Sequence, residues 1–143
     1  LGAVAAVFHD VLVVLGIFSI TYTFMPFNME INQAFIAAVL TVIGYSLNDT
    51  VVVFDRIREF VNQSPSSQFS KLVNSALNST LSRTLNTSLT TLVVLLAIFA
   101  FGGESIRGFM FALIVGVLVG TYSSLFIATP VMFDTTKKVA KKS

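Results

Sequence analysis

The sequence predicts an all-α membrane protein: four transmembrane helices, with a polar loop and an amphipathic helix between the second and third. Two observations carry this. Of 143 residues, 55% are hydrophobic and only 11% charged, with a mean hydropathy of +0.85. A soluble domain carries about 25% charged residues to cover itself with polar surface. The apolar residues are also gathered into four runs, each long enough for the ~20 residues that a helix needs to cross the hydrocarbon core. There is no cysteine and a single histidine, His9, so neither a disulfide framework nor a thiolate or multi-histidine metal site can be drawn. No cofactor is expected.

The first span is expected over residues 1–24. It is closed by the turn signal MPFNMEIN around Pro26, and no basic segment of the kind that opens a signal peptide precedes it. A chain that opens on Leu1 inside an apolar run leads to the expectation of a piece of a longer polypeptide. The second span, 33–54, contains Asp49. Residues 55–78 are too polar to span. They read as a helix end, a turn at Pro65, and an interfacial helix on which Phe69, Leu72, Val73, Ala76 and Leu77 recur at helical spacing. That helix can run directly into the third span, 79–101, which contains Arg83 and stops at Gly102-Gly103. The fourth span covers 106–133, and a basic tail, 134–143, follows.

Orientation follows from the basic residues of the short loops. The middle loop and the tail hold Arg56, Arg58, Lys71, Lys137, Lys138, Lys141 and Lys142, whereas the opposite loops hold only Arg107. The middle loop and both ends of the chain are therefore expected on the cytoplasmic side. In the fourth span Gly108, Ala112, Gly116, Gly120, Ser124 and Ala128 stand four apart on one face. Small residues there let helix backbones approach closely, so this face is read as helix packing.

Ionisable groups inside apolar spans are expensive and call for a partner. Asp49 precedes Asp55 by six residues, placing it ~9 Å inside the cytoplasmic boundary, and Arg83 lies ~6 Å into its span. His9 and Asp10 lie ~12–14 Å from Leu1. At 100° per residue, Tyr45, Asp49 and Arg56 share a stripe of the second span, with Ser46 at its edge and Asn48 beside Asp49. Ser79, Arg83, Asn86, Thr87 and Thr90 form a polar stripe on the third. The two stripes are expected to face each other or a shared hydrated crevice. Two readings stay open. Asp49 and Arg83 can be a static ion pair that fixes helix register. Alternatively, the carboxyl carries a proton, its affinity set by whether water or a guanidinium lies beside it. The stripe residues would then be a relay. His9 and Asp10 can equally belong to that relay or be satisfied by their neighbours.

Three stretches in order, GYSLNDTVVVFDRIRE (Gly44–Glu59), NSTLSRTLNTSLTTL (Asn78–Leu92) and FGGESIRGF (Phe101–Phe109), resemble the SecF members of the SecD/SecF protein-export family, as does HDV at His9–Val11. The resemblance implies a branch of the resistance-nodulation-division (RND) superfamily: two six-helix halves, each with an outer domain, of which this chain matches helices three to six of the SecF half. It implies an accessory subunit of the Sec translocase in the bacterial plasma (inner) membrane, driven by the proton motive force. The implied partners are SecD, the SecYEG channel, YajC and the exported polypeptide. It places proton conduction on Asp49 and Arg83. No enzyme motif and no nucleic-acid partner are read. The alternatives are an RND-type proton-coupled exporter of lipids or small molecules, and a non-transducing assembly module that docks partners through its small-residue face.

Overall fold

The computed structural model describes residues 1–64 and 68–140, the last three of these by backbone only. The turn expected at Pro65 and the lysines 141 and 142 fall outside the described residues. Five α-helices and one π-helical turn account for nearly all of the fold: α1 (Gly2–Thr21), α2 (Gln33–Gln63), α3 (Phe69–Phe101), α4 (Glu104–Ser123), the π turn (Ser124–Ala128) and α5 (Thr129–Ala140). α4, the π turn and the start of α5 continue one another, so among the described residues four helices are long and apolar enough to cross a membrane.

α1 is apolar nearly all round, and its buried face is a single i, i+4 line of Gly2, Ala6, Asp10, Val14 and Phe18. The helix stops at Thr21, whose hydroxyl bonds back to the Ile17 carbonyl at 2.7 Å. The connection to α2 is tied down by Met29, which is buried in the core. Asn32 then caps α2, its side chain accepting from the Phe35 amide at 3.1 Å, which satisfies one of the unpaired first-turn donors. α2 and α3, at 31 and 33 residues, are each about 46–50 Å long. Both exceed the ~30 Å hydrocarbon core. α3 begins at Phe69 and runs through Ser79 without a break, so the expected amphipathic segment is the first part of one long helix.

α2 and α4 form the centre of the bundle, with α1 packed across both on one side and α3 across both on the other. The centre is close because α4 presents glycines to α2. A Cβ on Gly116 would collide with the Val42 side chain, and one on Gly120 would sit 3.2 Å from the Ser46 Cβ. Gly108, Ala112, Ser124 and Ala128 are buried as well. Two apolar cores result. One gathers Val14, Phe18, Met29, Phe35, Ala38, Val42, Met110 and Leu113. The other gathers Val53, Ile57, Val73 and Ala76, with Phe69 stacked on Phe133 at 5.3 Å. Buried polar residues fill the level between them: Asp10, Ser46, Asp49, Thr50, Thr84, Ser88 and Ser123. Outside, Val4, Phe8, Leu12, Leu40, Val51, Leu89, Val93 and Leu118 stand exposed around the bundle, the surface a lipid environment covers.

Candidate functional site

Two buried carboxylates occupy the polar level, and their surroundings differ. Asp10 is completely buried. Its Oδ2 accepts hydrogen bonds from Ser46 Oγ of α2 at 2.5 Å and from Ser123 Oγ of α4 at 2.7 Å. Its Oδ1 lies 3.1 Å from Nδ1 of His9, whose side chain is 35% exposed. Three helices thus converge on one carboxylate, and both of its oxygens are satisfied. The approach is permitted by Gly120, which stands against Ser46, and by Ser123 immediately before the π turn. Just past that turn, at the start of α5, the Thr129 hydroxyl reaches the Ser124 carbonyl five residues back, at 3.1 Å. Such π bulges occur often at functional sites.

Asp49 sits one turn along α2 from Ser46 and is 6% exposed. Its Oδ2 and the hydroxyl of the neighbouring Thr50 are buried with no hydrogen-bond partner among the described residues. A buried polar group left without a partner costs ~1–3 kcal/mol, and more when charged. Arg83 is near enough for its charge to act on Asp49. Even so, the ion pairs within 4.0 Å among the described residues are His9–Asp10 and Arg56–Glu59. Arg83 instead lines a groove of about 410 Å³ between α2 and α3, together with Asp55, Arg56, Glu59 and Ser79. The static Asp49–Arg83 pair is not formed in this conformation.

The remaining expected residues divide by helix face. Ser79 accepts a hydrogen bond from Arg56 Nε at 3.1 Å, and Arg56 also bonds Glu59 and lies 4.9 Å above the Phe60 ring. Asn48, Asn86, Thr87 and Thr90 are exposed on the outside of the bundle. Thr87 and Thr90 spend their hydroxyls on carbonyls of their own helix, those of Arg83, Thr84, Asn86 and Thr87. The expected stripes of α2 and α3 therefore meet only at the Arg56–Ser79 end, on the groove that Arg83 lines, and not at Asn86, Thr87 and Thr90. α3 turns Thr80, Thr84 and Ser88 inward, because hydroxyls occur on all of its faces and the bundle selects the one that packs beside Ala76 and Val73. Tyr45 does reach α3, donating to Ser88 Oγ at 3.3 Å, and Ser88 is 2.6 Å from Thr121 Oγ1 of α4. This clasp joins α2, α3 and α4.

Sequence reading passed over Ser88, Thr121 and Ser123. Ser123 carries the one signal that could have been used: it lies between Gly120 and Ser124 of the small-residue face, where a hydroxyl at a close helix contact must point at another helix or at its own backbone.

Residues 1–138 match the sequence profile described as "Protein export membrane protein SecD/SecF, C-terminal". The chain is 56% identical over 142 residues to the protein translocase subunit SecF of Rhodothermus marinus, covering 99% of this chain and 46% of that subunit. It is 52% identical over 134 residues to SecF of Thermodesulfovibrio yellowstonii, covering 92% of this chain and 42% of the relative. The chain thus spans less than half the length of these relatives. Among solved structures, SecDF from Thermus thermophilus superposes with a TM-score of 0.86 at 41% identity, covering 95% of this chain and 18% of that one. SecDF in a super-membrane-facing form gives a TM-score of 0.83 at 40% identity, covering 99% and 19%. With this fold and this match along nearly its whole length, the chain belongs to the SecD/SecF C-terminal family of protein-export membrane proteins.

Proposed function

We propose that this chain is the membrane part of an accessory subunit of the Sec translocase that uses the proton motive force to help move polypeptides across the bacterial plasma (inner) membrane. Asp49 is the proton-carrying group and Arg83 its charge partner. The observation that carries the reading is the buried, unpartnered Oδ2 of Asp49 beside an equally unpartnered Thr50 hydroxyl. A carboxyl that is neither ion-paired nor fully hydrogen-bonded at membrane depth is held at a cost. Such groups mark ion or proton paths, where the group must be able to change partners. Arg83, close by but unpaired, supplies a charge that a small helix movement can bring onto or off the carboxylate.

The outward faces of α2 and α3 support a partner. Asn48, Arg83, Asn86, Thr87 and Thr90 are exposed at membrane depth, where lipid is a poor neighbour for an arginine or an asparagine. In this reading SecD covers that face, completing the proton path, and the SecYEG channel and YajC are further partners of the assembled machine. The cytoplasmic side receives the middle loop and both ends of the chain, where Arg56, Arg58, Lys71 and Lys137 lie. The first part of α3, from Phe69, lies at that interface.

The assembly-module alternative has less to stand on. The small-residue face it would use for docking is spent inside the chain, with Gly116 against Val42 and Gly120 against Ser46. No observation favours an exporter of lipids or small molecules.

The test is Asp49→Asn in the assembled export complex in membrane vesicles. The expected result is normal assembly with at least a tenfold loss of the proton-motive-force-dependent part of polypeptide export. Export that keeps its full dependence on the proton gradient would overturn the role given to Asp49.

A further inference from the structure

We propose that His9 and Asp10 form a second proton-exchange site of the bundle, in which one proton is shared between Asp10 Oδ1 and His9 Nδ1 while Ser46 and Ser123 hold Oδ2. The two oxygens of the Asp10 carboxylate are used differently. Oδ2 accepts both serine hydroxyls, at 2.5 and 2.7 Å, and is saturated by them. Oδ1 meets Nδ1 of His9 at 3.1 Å, and no other donor among the described residues reaches it. A carboxylic acid retains acceptor capacity beside its O–H, and an imidazole nitrogen is either donor or acceptor. The proton can therefore rest on Oδ1 and be accepted by Nδ1, or rest on Nδ1 and be accepted by Oδ1. Transfer breaks one O–H bond and forms one N–H bond, turning acid and neutral imidazole into carboxylate and imidazolium with no change in net charge. Neither state requires the serines to move.

The pair also has an inner and an outer end. Asp10 is completely buried, whereas the His9 side chain is 35% exposed. The imidazole can thus exchange its proton with water or a neighbouring group outside the bundle and deliver it to a carboxylate that has no such access. The groups facing Asp10 leave it little competition. α2 offers Ser46, flanked by Tyr45, whose hydroxyl donates to Ser88, and by Asp49, one turn further on. α4 and the π turn offer Ser123 and carry no Asp, Glu, His, Lys or Arg between Arg107 and Asp134. Tyr122 faces outward. Because Ser46 belongs to the helix that carries Asp49, and Ser123 adjoins the π turn, the charge on Asp10 acts on the two helices at the centre of the bundle.

The inference deepens the proton-driven reading, and its test keeps the two apart. Infrared difference spectra are recorded on the assembled complex in lipid while the pH is stepped, in an Asp49→Asn background that removes the other buried carboxyl. The expected result is a protonated-carboxyl band that is lost on adding Asp10→Asn, moves in frequency with Ser46→Ala, and shifts its titration midpoint with His9→Gln. Spectra unchanged by Asp10→Asn would overturn the proposal. If that variant does not assemble, His9→Gln decides, since a midpoint it leaves unmoved would overturn the proposal equally. Loss of export in Asp49→Asn plays no part in this readout, so either reading can fail alone.

Discussion

Asp10 and Asp49 are both aspartates buried in apolar helices, at neighbouring levels of one bundle, and they are treated in opposite ways. Asp10 is enclosed by three helices and has every oxygen engaged. Asp49 keeps one oxygen unpartnered, with a guanidinium nearby that does not close on it. The contrast separates two uses of a buried carboxylate. One holds helices together through donors from several elements, and the cost of burial is offset by those bonds. The other is left under-satisfied so that a proton, water or a cation can still reach it. The first kind should matter most for stability, through the serine bonds to its Oδ2 and whether or not its Oδ1 exchanges a proton with His9, and the second for activity alone.

The largest stability effect expected is therefore at the satisfied site. Asp10→Ala removes the acceptor of two buried hydroxyls, and Ser123 alone has an alternative in the Gly120 carbonyl at 3.2 Å. A loss of about 2–4 kcal/mol is expected, each bond to a charged group being worth ~1.5–3 kcal/mol. Thermal unfolding in detergent measures it. Asp49→Ala under the same conditions should be neutral or stabilising. A comparable loss at both positions would break the comparison.

Next in size is Gly116→Ala. Its new methyl strikes Val42 and pries α2 from α4, taking Ser46 from Asp10. Overpacking of this kind costs ~1–3 kcal/mol. Adding Val42→Ala should recover most of it, and a double-mutant cycle in the same unfolding assay reads the coupling.

Smaller again is Ser88→Ala, which opens the Tyr45–Ser88–Thr121 clasp. Hydrogen bonds between membrane helices average about 0.6 kcal/mol, so a loss near that value is expected. The smallest effect should be Glu59→Gln, because the Arg56–Glu59 pair is exposed on α2. Such pairs contribute about 0.3–0.5 kcal/mol and are screened by salt. A large effect there would move weight from the buried level to the groove between α2 and α3.

How much of this was readable beforehand depended on the kind of signal. The four long helices were legible because each is an apolar run bounded by Pro26, by the polar stretch from Asp55 or by Gly102-Gly103. The small-residue line on the fourth helix showed which side is buried, since glycines four apart leave few other options. Facing was harder. α1 is apolar on every side, so nothing in its own pattern says that Asp10 points at α2 and α4 rather than outward. On α3 the hydroxyls of Ser79, Thr80, Thr84, Thr87, Ser88 and Thr90 are spread round the helix, and polarity could not choose among faces. The stripe that includes Arg83 was expected to turn toward Asp49, whereas the stripe Thr80, Thr84 and Ser88 is the one that packs inward. Depth and identity of the charged residues survive one-dimensional reading. Their partners belong to the third dimension.

The central claim is that Asp49, the under-satisfied carboxylate, carries the proton, and proton flux tests it most directly. Asp49→Asn is placed in the assembled complex in proteoliposomes, and acidification of the lumen is followed under an imposed gradient while unfolding is recorded on the same preparation. Flux is expected to fall at least tenfold with the unfolding temperature unchanged. Flux at the wild-type rate in a fully folded Asp49→Asn complex would contradict it.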